Sequence, residues 1–231
     1  DLSMAPAKRA WVKLPTWPGA ARHKMALATQ MARDDQGTLR PFLYLLSGST
    51  WVNGADGKAD LAKFQFFTDN FRFDPKRKTW KRIADLPAVP VMQPIDLSGY
   101  AFDSKKKTWK RTAARDTPTL DLNRLFGRVS RPAAASPAIG VGNRTVLLMS
   151  GATGRYITMD VKDRPLFPAE VLAYDTHDDR WKVVSQMPQA VVTTAVVLWK
   201  DRIVITSGEI RPGVRTRRVQ TAIVDLKAVE E

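Results

Sequence analysis

The sequence predicts an all-β chain built as a β-propeller, and three observations predict it. The first is a turn motif met three times: Phe71 to Trp80, Tyr100 to Trp109 and Leu172 to Trp181 each carry an aromatic, then Asp, then a polar turn, then a Trp six residues after the Asp. The second is a short apolar strand ending in Ser-Gly, found at Phe42 to Gly48, Val146 to Gly151 and Ile203 to Gly208. The third is that helical periodicity is nearly absent, with only Leu120 to Phe126 reading as a short helix. Four-stranded units repeated along a chain, with an aromatic in each hairpin, are the pattern of a propeller.

Each element has its reason. In the turn motif the aromatic closes one strand, the Asp carboxylate caps the turn, and Trp begins the return strand packed on its neighbours. A further strand lies upstream of each Ser-Gly strand, at Lys24 to Met31, Ala135 to Val141 and Val191 to Trp199. The unit is therefore four strands, a to d, with Ser-Gly ending b and the Asp-to-Trp turn joining c to d. Blades run from about 22 to 87 and from 131 to 188, and a third set, lacking d, spans 191 to 227. Trp11-Val12-Lys13-Leu14-Pro15 reads as an orphan d strand that completes the last blade. Residues 88–129 hold a c–d hairpin without clear a and b strands, so the expectation is one propeller domain over 1–231 with about four blades visible and an irregular or inserted segment at 88–129.

Composition limits the function classes. At 231 residues, with 44% hydrophobic and 26% charged residues, the chain can bury a core. No apolar run approaches the roughly 20 residues of a membrane-spanning helix, so no membrane partner is expected. The first residues lack the apolar run of a signal peptide and do not begin with Met. Without Cys and with only His23 and His177, thiolate and His-based metal sites are not expected, and no metal or cofactor is invoked. A net charge of +14 invites anions, either polyanions or a small anionic substrate. The basic runs Lys76-Arg77-Lys78 and Lys105-Lys106-Lys107 fall at hairpin tips, where exposed turns favour such residues. Nucleic acid is therefore not the expected partner.

Strand alternation assigns faces. In an antiparallel blade the d–a and b–c loops share one face, and the a–b and c–d loops share the other. Glu209 and Arg215 follow a b strand, and Arg22 closes the d–a loop Trp17-Pro18-Gly19-Ala20-Ala21-Arg22. All three belong to the first face. The basic hairpin tips belong to the second.

The blade pattern resembles the kelch repeat, with Ser-Gly standing where kelch blades usually carry Gly-Gly. The stretch Ser207-Gly208-Glu209-Ile210-Arg211-Pro212-Gly213-Val214-Arg215-Thr216 resembles the signature of the bacterial N-acetylneuraminate epimerase (sialic acid mutarotase) family, including its cyclically permuted members. Pro18-Gly19-Ala20-Ala21-Arg22 is similar to that family's Pro-Gly loop opening another blade. The resemblance covers most of 11–227 and is weak over 88–129. Members of the family have six blades, against about four visible here.

The resemblance implies an isomerase, without cofactor, that interconverts the α and β anomers of sialic acid. It implies that Glu209 is the base, that Arg215 binds the substrate carboxylate as a bidentate fork, and that Arg22 is a second substrate-binding residue. It also implies a periplasmic or exported setting. The alternative is a non-catalytic kelch propeller that binds a protein partner, an anionic glycan or another polyanion.

Overall fold

The computed structural model describes residues 5–6, 11–58, 60, 63–92, 100–103, 108–111, 126–154 and 159–225. The helix expected over Leu120 to Phe126 and the basic tip Lys105-Lys106-Lys107 lie outside the described residues, except that Phe126 begins a strand. Among the described residues there is no α-helix; a 3-10 turn lies at Val161–Asp163. The chain divides into two compact units, one of residues 1–86 and 132–231, the other of residues 87–131.

In the first unit, β1 (Ala26–Arg33), β2 (Leu39–Leu46), β3 (Asn70–Asp74) and β4 (Thr79–Ile83) form an antiparallel sheet in the order β1-β2-β3-β4. The second unit holds β5 (Ala88–Met92) paired with β8 (Phe126–Ser130), and the hairpin of β6 (Tyr100–Asp103) and β7 (Thr108–Arg111). The c–d hairpin read from the sequence is thus present, and among the described residues it forms a two-stranded sheet. Back in the first unit, β9 (Ala138–Val141), β10 (Thr145–Met149), β11 (Glu170–Asp175) and β12 (Arg180–Gln186) repeat the meander of the first sheet. β13 (Val196–Trp199), β14 (Arg202–Thr206) and β17 (Val219–Ile223) form a third sheet of three strands, while β15 (Glu209–Arg211) and β16 (Val214–Arg215) make a small hairpin between β14 and β17.

The Asp-to-Trp turns are built as expected. Asp74 accepts from the N–H groups of Lys76 and Arg77, and Asp175 accepts from those of His177 and Asp178. Trp80 then lies opposite Phe73, and Trp181 opposite Tyr174, with ring centroids 4.9 and 5.0 Å apart. These are distances at which aromatic pairs attract beyond their burial.

The sheets stack face to face. Tyr44 of β2 and Tyr174 of β11 meet at 5.8 Å, inside a core with Leu46, Val146, Leu148 and Leu172. Val141, Met149, Ile203 and Ile205 form the second core, between the second and third sheets. Alternation along each strand sends one set of side chains toward each neighbour. Burial raises the Tyr44 hydroxyl to about 12, and it raises that of Tyr174 further, helped by the bond that Tyr174 donates to Asp179 at 2.7 Å. Both phenols stay neutral in the core.

Residues 11–15 differ from the expectation. They form no strand and do not complete the third sheet. Pro15 instead offers its carbonyl to the Trp80 indole N–H at 2.8 Å, and Trp17 packs edge-on to Trp80. The Trp80 indole of β4 thus anchors the end of the segment on the first sheet, while Trp11, Val12 and Leu14 stay exposed.

Candidate functional site

The Ser-Gly pairs build one face of the first unit. Ser47, Ser150 and Ser207 have φ of 55°, 63° and 60°, and Gly48, Gly151 and Gly208 follow at 114°, 126° and 114°. Two successive left-handed residues turn the chain sharply at each b-strand end. Gly is needed at the second position for a further reason: a Cβ at Gly151 would stand 2.5 Å from the Ala133 Cα. The next residue in each copy then bridges to the incoming d–a loop, as His23↔Ser49, Ala134↔Ala152 and Val192↔Glu209.

The d–a loops repeat as well. Lys24, Ala135 and Thr193 have φ of 55°, 57° and 55°. Ala135 N–H donates to the Lys24 carbonyl at 2.6 Å, and Thr193 N–H donates to the Ala135 carbonyl at 2.8 Å. This backbone chain ties the three sheets together at the same depth.

A cavity of about 270 Å³ opens where these loops converge. Ser49, Ala152 and Glu209 line it from the b–c loops, and Lys24, Ala135 and Thr193 line it from the d–a loops. Its walls are aromatic: Trp51, Phe64 and Phe66 from the first sheet's b–c loop and Phe167 from the second's. Trp51 and Phe64 pack edge to face at 4.7 Å, and the Lys24 ammonium sits 5.8 Å from the Trp51 ring centre. Arg164 is a second cation in the lining and donates to the Met159 carbonyl. Among the described lining residues, Glu209 carries the only carboxylate. Thr193 Oγ1 donates to Glu209 Oε2 at 3.4 Å, and the Glu209 backbone is pinned by two 2.9 Å bonds to Val192.

Arg215 is the cross-strand partner of Glu209 in the β15–β16 hairpin, so the Pro212-Gly213 turn does bring the two together. Its side chain is exposed and does not line the cavity. Arg22 is placed differently. Its side chain is wholly buried, and it grips Asp69 with two bonds of 2.7 and 2.9 Å and the Ser47 carbonyl at 3.1 Å. It also lies over the Phe67 ring at 4.0 Å. Arg22 is a strut under the loop face. His23, beside it, has its pKa lowered by burial and by the Lys24 charge, so it is neutral at pH 7.

The aromatic walls were not singled out from the sequence. Their signal was available, because each follows a Ser-Gly that ends a b strand, as Glu209 does. A larger cavity of about 730 Å³ lies elsewhere, in the wedge between the second and third sheets. It contains none of Glu209, Arg215 or Arg22. On the opposite face from the loops, Arg77 of the basic turn is paired with Asp35.

Repeated four-stranded meanders, stacked so that their b–c and d–a loops share one cavity, define a β-propeller type of protein. A solved structure titled "Structure of YjhT" has the same fold, with a TM-score of 0.55 at 16% identity over 94% of this chain and 54% of that one. The N-acetylneuraminate epimerase of Yersinia enterocolitica is 24% identical over 216 residues, covering 92% of this chain and 46% of that protein. No family model matches. The chain spans about half the length of these relatives, and it resembles the N-acetylneuraminate epimerase family that its Ser207 to Thr216 stretch called to attention.

Proposed function

We propose that the loop-face cavity binds a small anionic sugar of the sialic acid type and accelerates exchange between its anomers. The observation that carries this reading is the single carboxylate, Glu209, set in an aromatic cavity beside Lys24 and Arg164. Aromatic faces suit the apolar C–H faces of a sugar, and cations suit its carboxylate.

The chemistry needs little machinery. Anomer exchange begins when a base takes the proton of the anomeric hydroxyl while the ring oxygen gains one, so that the ring C–O bond breaks and a ketone forms. Rotation about the freed bond presents the other carbonyl face, and the reverse proton transfers close the ring. Glu209 is the base in this reading, steadied by Thr193. Arg215, on the strand opposite and exposed outside the cavity lining, is the planar fork that would meet a substrate carboxylate projecting out of the cavity. Arg22 contributes by holding Asp69 and the Ser47 turn beneath the site. A periplasmic or exported location belongs to the same reading and rests on the family resemblance; cell fractionation with an antibody to the chain tests it.

The deciding experiment is NMR exchange spectroscopy on N-acetylneuraminate with the wild-type chain. Exchange faster than in buffer supports the reading. Exchange no faster than in buffer removes the enzyme, and line broadening without exchange would leave a binding protein.

A further inference from the structure

A second polar cavity, of about 230 Å³, lies between the first two sheets on the face of the basic hairpin tips. It opens among the Asp34-Asp35 turn, strands β3 and β4, and the turn that follows β11. The repeat itself does not ask for the residues that build it. Tyr44, Leu147 and Val204 each stand three residues before the Ser of a Ser-Gly pair. Their cross-strand partners are Arg72, Ala173 and Thr221. Likewise Tyr174 stands where the first sheet has Phe73. The other copies of the unit fill these places with apolar or small side chains, whereas this interface gathers two phenols and a guanidinium.

Its charges are uneven. Arg72 lies directly opposite Lys81 in the β3–β4 pair, and like charges so opposed destabilise a sheet. Both line the cavity, and Arg33 is a third cation there. The nearest acids are already taken, Asp34 by Arg40 and Asp35 by Arg77. Among the described residues no carboxylate pairs with Arg72 or Lys81. Arg72 lies instead over the Phe42 ring, 4.7 Å from its centre.

A buried hydroxyl is left over at the same place. Tyr44 has no exposed surface, and its hydroxyl, near Arg72 and Thr176, completes a hydrogen bond with neither. A buried donor that makes no bond carries a cost. Arg72, Thr176 and Tyr174 all line the cavity, and the Tyr174 ring meets that of Tyr44 at 5.8 Å. The Tyr44 hydroxyl therefore sits at the cavity floor. Asp179 is the acid of the opposite wall. Its Oδ1 accepts from the Tyr174 hydroxyl at 2.7 Å and from the Ala84 N–H at 2.8 Å, and among the described residues its Oδ2 has no donor.

We propose that this cavity binds inorganic phosphate. Arg72 and Lys81 meet its oxygens with charge-assisted hydrogen bonds, which also relieves the opposed pair of cations. The Tyr44 hydroxyl donates to a further oxygen. Asp179 Oδ2 accepts from the one proton that hydrogen phosphate keeps through neutral and mildly alkaline pH. That last contact selects the ligand. Sulfate carries no proton there, and a phosphate monoester has lost its second by then, so either one sets a bare oxygen against the Asp179 carboxylate. The site shares no lining residue with the loop-face cavity, and the proposal is independent of the mutarotase reading.

Calorimetric titration of the full chain with sodium phosphate, in chloride buffer at mildly alkaline pH, tests this. The wild type should show one saturable site per chain, and no saturable heat overturns the proposal. Sulfate and glycerol 3-phosphate should bind more weakly; either one binding as tightly as phosphate overturns it, because net charge alone would then account for the binding. Arg72→Gln should weaken phosphate by roughly tenfold or more, the weight of a bond to a charged group. Lys81→Gln serves if that variant misfolds, and a folded variant of either kind with unchanged affinity overturns the proposal. Lys78→Gln removes a cation of the hairpin tip that does not line the cavity and should leave affinity unchanged; a loss equal to that of Arg72→Gln overturns it. Tyr44→Phe should weaken phosphate by about three- to tenfold, yet melt no lower than the wild type in phosphate-free buffer. A lower melt would give the hydroxyl a partner within the core and overturn its place in the site.

Discussion

Arg22 and Asp69 form a bidentate ion pair, 2.7 and 2.9 Å, in which the arginine side chain has no exposure to solvent. An arginine of the sequence motif is therefore a fixed part of the wall. Arg22→Ala leaves the partly buried Asp69 unpaired and opens a void beneath Gly48. Breaking a buried pair from one side costs about 3–5 kcal/mol, and since Asp69 retains some exposure the lower end is expected. Arg22→Lys keeps the charge and loses the fork, so it should recover only part of the loss. Urea unfolding of the three proteins checks this.

Glu209→Gln keeps the shape of the side chain and removes the base. Anomer exchange should fall to the buffer rate while binding of N-acetylneuraminate persists. Arg215→Lys should weaken binding by about 1.5–3 kcal/mol, the value of a charge-assisted hydrogen bond. If Glu209 and Arg215 were only an exposed surface pair, both substitutions would leave exchange unchanged. Calorimetric titration beside the NMR assay separates the two outcomes.

Trp51 is 53% exposed and touches Phe64 and the Lys24 ammonium at the cavity wall. Trp51→Ala should change stability by within about 0.5 kcal/mol, as surface substitutions usually do, yet weaken sugar binding. A thermal melt with and without ligand shows both effects. A loss of stability with unchanged binding would assign Trp51 to the fold.

Gly151 has φ of 126° and would place a Cβ against the Ala133 backbone, whereas Gly37 has φ of 77° with nothing within 4 Å. Gly37→Ala should cost about 1–2 kcal/mol, the left-handed penalty alone. Gly151→Ala adds a backbone clash that no side-chain motion relieves, and should cost more. Denaturation midpoints of the two variants make the comparison.

The bidentate bonds from Arg40 hold the Asp74 carboxyl well below the usual carboxylate range, against the pull of its burial, with further help from the Arg77 and Lys76 N–H groups. The unfolded carboxyl titrates near pH 3.9. The lowered folded value means that this contribution is fully present above that pH and fades as pH falls toward the folded pKa. Asp74→Asn should therefore be less stable than wild type at neutral pH, with the gap narrowing below about pH 4. A gap independent of pH would assign the loss to packing alone.

The turn motifs were legible in sequence because the capping is local: Asp74 and Asp175 bond N–H groups two and three residues away. The Ser-Gly ends were legible for the same reason, since two left-handed residues in succession are a property of the dipeptide and its sharp turn. Glu209 and Arg215 were brought together by a Pro-Gly turn only two residues long. The aromatic walls were harder to see, because Trp51 and Phe64 come from one b–c loop and Phe167 from another, more than 100 residues further along the chain.

By itself, then, the sequence determined the a–b and c–d hairpins and the turns that close them. Those choices depend on local backbone and capping interactions. Tertiary structure alone decided where the long-range partners went. It turned Arg22 inward because Asp69, 47 residues away, outcompetes solvent for a buried guanidinium. It anchored Pro15 on the first sheet, because the Trp80 indole, 65 residues distant, holds its carbonyl, and among the described residues β17 pairs with β14 alone. Periodicity specifies a strand; it does not name the edge that the strand will find, because that edge is set by which sheets stack and which faces they cover.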